Sequence, residues 1–243
     1  MPEEYKRQFS HLKKQLKIFT SILHIIQTKD IVAGDFYWLE EKDDTILIAA
    51  ADCTGHGVPG AMVSVVCSNA LYRSVNEFGL IEPGEILDKT RELVIETFSK
   101  SDKDVKDGMD ISLASIKKIN NSGQYQIKWS GANNPLWYIK NSAGQALAPD
   151  KQAIGKAEKQ SSFTTNTLQL SKNDMLFLFT DGFADQFGGE KGKKFKYKPL
   201  RDFLFTNAEK EMSEQLHSLT LTFDYWKKEL EQVDDVCIIG IKL

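Results

Sequence analysis

Residues 46–57 read Ile46-Leu47-Ile48-Ala49-Ala50-Ala51-Asp52-Cys53-Thr54-Gly55-His56-Gly57. Six apolar residues in a row suit a strand buried on both faces. Pro59 follows and opens a helix that runs to about Phe78; Pro is tolerated there because the first helical N–H has no intrahelical partner. Asp52 therefore stands between a strand end and a helix start. A carboxylate in that position is poorly placed for a core and well placed for a cleft, where helix N-termini and backbone N–H groups stabilise anions. Alone, Asp52 reads rather as a turn cap. The loop after it matches neither a G-x-G-x-x-G turn nor a Walker A loop.

Three other aspartates repeat this placement. Asp35 follows Gly34 and precedes Phe36-Tyr37-Trp38; the glycine suggests a bulge or a close backbone approach. Asp181 ends the apolar run Met175 to Phe179 and is followed by Gly182. Asp234, with Asp235, precedes Val236-Cys237-Ile238-Ile239. Each is explicable singly as turn chemistry or as a solvated acid. Four such carboxylates at strand ends together suggest a metal site. Oxygen-only ligands favour hard cations such as Mg²⁺ or Mn²⁺, and a two-metal site suits phosphoryl chemistry.

Outward from this stretch, strands are expected at Ile22 to Ile26, Ile31 to Leu39 and Thr45 to Ala51, with a hairpin turn at Asp43-Asp44. A second helix opens at Pro83 and reaches about Ser99; Lys100 to Gly108 reads as a loop. Further strands follow at Met109 to Ile119, Gln124 to Ser130, Leu136 to Ile139, Ser162 to Leu170 and Met175 to Phe179, with Asn120-Asn121-Ser122-Gly123 as a turn. Phe187 to Pro199 is rich in Gly and Lys, a helix returns at Glu211 to Leu230, and Val236 to Ile241 is a last strand. Helices do not alternate with strands, which argues against a doubly wound parallel sheet. The expected fold is α+β, with two antiparallel sheets and helices on the outside. Residues 3 to 19 carry Phe9, Leu12, Leu16 and Phe19 at helical spacing and read as a short amphipathic helix or the tail of a longer linker.

The 243 residues are 41% hydrophobic with a net charge of -3, which demands neither nucleic acid nor an anionic membrane as partner. Cys53, Cys67 and Cys237 are odd in number and lack Cys-x-x-Cys spacing, so a reduced, cytoplasmic setting without a zinc knuckle is expected. No apolar run approaches a membrane span, and the first twenty residues do not read as a signal peptide.

Gly34-Asp35-Phe36-Tyr37-Trp38, Ala51 to Gly57, Ala61-Met62, Thr180 to Phe187 and Val233 to Ile241 occur in an order that resembles the PPM family of metal-dependent serine/threonine phosphatases, in its bacterial SpoIIE/RsbU-like branch. The resemblance implies a four-layer α-β-β-α sandwich over residues 20–243 (protein phosphatase 2C-like), with residues 1–19 as an N-terminal helix or linker remnant leading to an upstream sensor domain. It implies two Mn²⁺ or Mg²⁺ ions held by Asp35, Asp52, the Cys53 carbonyl, Asp181 and Asp234, with Asp234 preferred to Asp235. It leaves room for a third, weaker ion at Asp107 and Asp110. Metal-activated water would then attack phosphorus in a phosphoprotein, with an anti-sigma-factor-antagonist-type substrate expected. His56 lies four residues after Asp52, not the two at which eukaryotic relatives place an acid histidine, so it reads either as a proton donor or as a loop-shaping residue. Ser130 to Pro135 resembles a family loop, or is a plain turn. The basic stretch Lys191 to Lys198 reads as a solvated loop or as a contact for an acidic phosphoprotein. Two competing functions are a non-catalytic module of the same fold and a two-metal nucleotide cyclase; the latter conflicts with the lack of βαβ alternation.

Overall fold

The computed structural model describes residues 21–99, 107–119 and 122–243. One sheet holds β1 (Ser21–Gln27), β12 (Val236–Lys242), β9 (Met175–Phe179), β6 (Leu136–Lys140) and β7 (Ala143–Leu147), in that order. The other holds β2 (Phe36–Lys42), β3 (Thr45–Cys53), β4 (Met109–Ile119), β5 (Gln124–Ala132) and β8 (Asn166–Ser171). Every neighbouring pair in both sheets is antiparallel. Helices α1 (Gly57–Asn76) and α2 (Pro83–Ser99) are contiguous with one sheet, and α4 (Tyr197–Thr206) and α5 (Met212–Lys227) with the other. A one-turn helix α3 (Gly182–Asp185) and a hairpin of β10 (Phe187–Gly188) and β11 (Lys193–Lys194) follow β9.

Three apolar layers make this a four-layer sandwich. Ile46, Ile48 and Ala50 of β3 meet Leu176 and Leu178 of β9 and Ile239 of β12 between the sheets. Leu47, Ala49 and Ala51 face Val63, Cys67 and Leu71 of α1 and Leu87 of α2. Phe177, Phe179 and Ile238 face Leu200 of α4 and Leu219 and Phe223 of α5. Successive residues of a strand point to opposite faces, so β3 had to be apolar throughout because both of its faces are covered. Each fully buried Leu or Ile contributes about 1.5–3 kcal/mol by leaving water.

Several boundaries differ from the sequence expectation. The strand expected from Ile31 begins only at Phe36; residues 28–35 form a loop in which Ile31 is fully exposed. The strand expected from Ser162 begins at Asn166. β7, α4 and the β10–β11 hairpin had no expected counterpart. The Asp43-Asp44 turn is present, with φ of 49° and 58°, the left-handed backbone that a two-residue hairpin needs. The helix expected over residues 3–19 and most of the loop expected over 100–108 lie outside the described residues. Among the described residues, no helix is long and apolar enough to cross a membrane.

Candidate active site

Strand parity builds the first half of the site. Asp52 shares the face of Ile46, Ile48 and Ala50, so it continues the inter-sheet core to the end of β3. Asp110 pairs directly with Asp52 across β3 and β4. Phe36 pairs with Ala51, so Asp35, one residue earlier, leads into the same row. Asn133 follows Ala132 at the end of β5, and its Nδ2 donates to Asp110 Oδ1 at 2.8 Å. The second sheet supplies the rest: Asp181 sits where β9 gives way to α3, and Asp234 lies just before β12.

These carboxylates act on one another. Burial pushes the Asp35 carboxyl far up, and the charge of Asp52 raises it further; the Thr180 hydroxyl partly offsets both. Asp52 is raised by burial first and then by Asp181 and Asp234, while its hydrogen bond with Asp35 opposes the rise. Asp181 is pushed up to about 6 by burial, then by Asp185, Asp234 and Asp110, with Lys194 opposing. Burial likewise raises Asp110 and Asp234. Crowded like charges in a desolvated place favour the protonated form. Asp35 Oδ2 is buried and has no hydrogen-bond partner. Among the described residues, no three His, Cys, Asp or Glu side chains already close into a metal-holding group. The electrostatic couplings nevertheless tie Asp35, Asp52, Asp110, Asp181 and Asp234 to one end of the sandwich.

The adjacent acids of the Asp234–Asp235 pair behave differently. Asp235 is buried, and its two oxygens accept the backbone N–H groups of Lys29 at 2.7 Å and Gly34 at 2.8 Å. It ties down the loop that delivers Asp35. Asp234 is half-buried and lies in the fields of Asp52 and Asp181. Close backbone packing completes the support. A Cβ on Gly34 would lie 2.6 Å from the Gly55 carbonyl and 3.2 Å from that of Cys53, and one on Gly60 would lie 2.3 Å from the Gly55 carbonyl. The Cys53 thiol is buried in the helix-facing core, and its hydrogen bond with Cys67, together with burial, keeps it protonated.

His56 is exposed, and its Nδ1 lies 2.7 Å from Asp30 Oδ2. Its hydrogen-bond partner is thus a loop acid and not a group of the carboxylate row. Asp107 is half-buried just before β4, with its main-chain oxygen close to Gly155. Sequence reasoning missed Thr180, which also accepts the Cys237 N–H at 2.9 Å, and Tyr197, whose hydroxyl is held protonated by burial and by the charges of Asp181 and Asp185. Asn133 was foreshadowed by the Ser130 to Pro135 segment. Tyr197 had no local signal, because it comes from a helix that the Gly- and Lys-rich stretch concealed.

A family profile described as Stage II sporulation protein E (SpoIIE) matches residues 42–243. The chain belongs to the SpoIIE family. It stands in the SpoIIE/RsbU-like branch of the PPM-type phosphatases. The SiaA-PP2C domain of Pseudomonas aeruginosa is similar with a TM-score of 0.83 and 27% identity, over 95% of this chain and 90% of that one. The PP2C phosphatase domain of SpoIIE from Bacillus subtilis, solved with a fragment of its regulatory domain, gives a TM-score of 0.69 at 15% identity, over 91% and 62%. RsbX in complex with magnesium gives 0.61 at 16%, over 91% and 94%. At those lower identities the likeness is one of fold. Comparison with curated proteins gave no match.

Proposed function

We propose that this chain is a metal-dependent phosphatase that hydrolyses phosphoserine or phosphothreonine in a regulatory protein of the anti-sigma-factor-antagonist type. The observation that carries the reading is the electrostatic convergence of Asp35, Asp52, Asp181 and Asp234 on one end of the sandwich. The donors fit hard divalent cations. They are all oxygen, they crowd like charges, and they include a buried Asp35 oxygen without a partner. The magnesium complex of RsbX supports the same metal class.

Two Mg²⁺ or Mn²⁺ ions held there would supply a water of lowered pKa and positive charge against the phosphoryl oxygens. Asp52 is the central donor, since it couples to Asp35 on one side and to Asp181 and Asp234 on the other. The Cys53 carbonyl adds a neutral oxygen beside it, and Asp110 with Asp107 would serve a third, weaker ion. Asp235 positions Asp35 through the Gly34 N–H. The carboxylates bind and orient; none of them is the nucleophile. His56, paired with Asp30, shapes the loop after Asp52. Residues 20–243 form the phosphatase domain, and residues 1–19 connect it to an upstream sensor in the cytoplasm.

The test is Asp52→Asn assayed for Mn²⁺-dependent release of phosphate from p-nitrophenyl phosphate and from a phosphoprotein. A loss of about a thousandfold or more is expected; undiminished turnover would end the reading. A non-catalytic binding module is the second reading. It predicts no turnover in the unmodified chain.

A further inference from the structure

We infer that the lysine-rich hairpin of β10 and β11 is a docking surface for an acidic segment of the phosphoprotein substrate, seated beside the carboxylate row. The inference rests on the phosphatase reading above and gives that substrate its charge. The hairpin is held stiffly. The Gly189 N–H donates to the Trp226 carbonyl of α5 at 2.9 Å, and the Trp226 Nε1–H donates to the Gln186 carbonyl at 3.0 Å. Gly188 lies so close to the Trp226 carbonyl that a Cβ would not fit. Phe195 packs edge-on against Phe183 and Trp226, with ring centroids 5.0 and 5.2 Å apart. The Phe195 and Lys196 N–H groups donate to the carbonyls of Gln186 at 3.0 Å and Ala184 at 2.6 Å. This anchoring ties the hairpin to α3, which starts directly after Asp181. The Asp185 N–H donates to the Asp181 carbonyl at 2.9 Å, and Lys194 Nζ donates to Asp185 Oδ2 at 2.8 Å.

Residues 191–196 hold four lysines and no acid, on a chain whose net charge is -3. Lys194 is spent on Asp185, whereas Lys191, Lys193 and Lys196 are exposed and form no ion pair among the described residues. A solvated loop needs neither the aromatic anchor nor the fixed backbone that these lysines have. Positive charge held on rigid backbone next to a catalytic row raises the local concentration of an acidic partner and sets its orientation. The register pairs Phe187 with Lys194, so the two share a face; the Phe187 ring is exposed there and adds an apolar contact. A nucleic acid or an anionic bilayer spreads its charge evenly and would confront Asp181 and Asp185 as well as the lysines. A peptide can keep its acids on the lysine side and offer its phosphoserine to the row, so a protein partner fits this surface best.

The experiment compares the unmodified chain with a variant carrying Lys191→Ala and Lys193→Ala and one carrying Lys191→Glu and Lys193→Glu. Substrates, assayed with Mn²⁺, are a phosphoserine peptide flanked by glutamates, the same peptide with glutamines in their place, and p-nitrophenyl phosphate. Fluorescence anisotropy of the labelled acidic peptide measures binding independently of turnover. The unmodified chain is expected to favour the acidic peptide by about tenfold in kcat/KM and in affinity, less at high salt. The Ala variant should keep about a twofold preference and the Glu variant none, with p-nitrophenyl phosphate turnover within about twofold in both. An unmodified chain without preference, or a preference that survives in the Glu variant, would overturn the inference. So would binding to phosphatidylglycerol vesicles without any preference between the peptides, which would assign the hairpin to a membrane. Failure of the phosphatase reading is distinct: no substrate is turned over, and the anisotropy measurement alone then decides whether the hairpin binds acidic peptide.

Discussion

β9 has an aspartate at each end, and the two live in opposite circumstances. Asp174, before Met175, is buried, and its oxygens accept the backbone N–H groups of Asn141 at 2.9 Å and Ser171 at 2.7 Å. Asp181, after Thr180, is half-buried and faces Asp185, Asp234 and Asp110 with Lys194 as the opposing charge. The first carboxylate is satisfied by the fold and closes a turn. The second is surrounded by like charge and belongs to the site. Asp235 and Asp234 repeat the contrast one residue apart, since Asp235 holds the Lys29 and Gly34 amides while Asp234 joins the cluster. Partner accounting, more than burial, separates a structural acid from a functional one.

Exchanging the roles at the two ends of β9 has the largest consequences. Asp181→Asn is expected to cut Mn²⁺-dependent hydrolysis by about a hundredfold or more while leaving the thermal midpoint of the metal-free protein unchanged or higher. Asp174→Ala should do the reverse: about 3 kcal/mol of stability lost through two stranded buried amides, with near-normal activity per folded molecule. Denaturant melts and activity assays on both variants decide it, and equal stability losses would erase the distinction.

A somewhat smaller effect probes how the β2 end is held. Gly34→Ala puts a methyl group 2.6 Å from the Gly55 carbonyl, and a loss of about 2 kcal/mol is expected together with weakened Mn²⁺ binding. Unaltered melting and metal uptake would mean that the close approach of these backbones does not support the site.

The pH dependence has a definite sign. Asp35, Asp52 and Asp181 hold protons more tightly when folded than at the ordinary carboxylate value of 3.8. The folded metal-free protein therefore carries more protons than the unfolded chain above that value. Stability is then fullest below about pH 4, and it declines as pH rises through the Asp181 value of about 6 and onward through those of Asp52 and Asp35. Thermal melts in chelator from about pH 5 to about pH 8 should show this fall, and millimolar Mg²⁺ should flatten it. A metal-free midpoint that rises over the same interval would contradict the crowding of these acids.

The sequence made the central strand and the site row legible for a simple reason. β3 is apolar on both faces, so its run is continuous and Asp52 marks its end. Gly34 was readable as a close approach, and a Cβ there would lie 2.6 Å from the Gly55 carbonyl. The start of β2 was not legible: Ile31 and Val32 look like strand residues, yet they lie exposed in a loop whose shape depends on Asp235, some 200 positions away. α4 was hidden because its sequence follows four lysines and two positive-φ glycines in the hairpin region. β7, Ala143 to Leu147, is mostly exposed and shows no apolar alternation. The family resemblance preferred Asp234 to Asp235, but the amides that Asp235 holds, from Lys29 and Gly34, could not be read from a single sequence.

Titrating Mn²⁺ into the unmodified chain and into Asp52→Asn by calorimetry, in two buffers of different ionisation heat, tests the account at its base. The prediction is uptake of about two ions per chain with release of protons from the crowded carboxylates, and loss of that uptake in the variant. Absence of any binding to the unmodified chain at millimolar Mn²⁺ would contradict it.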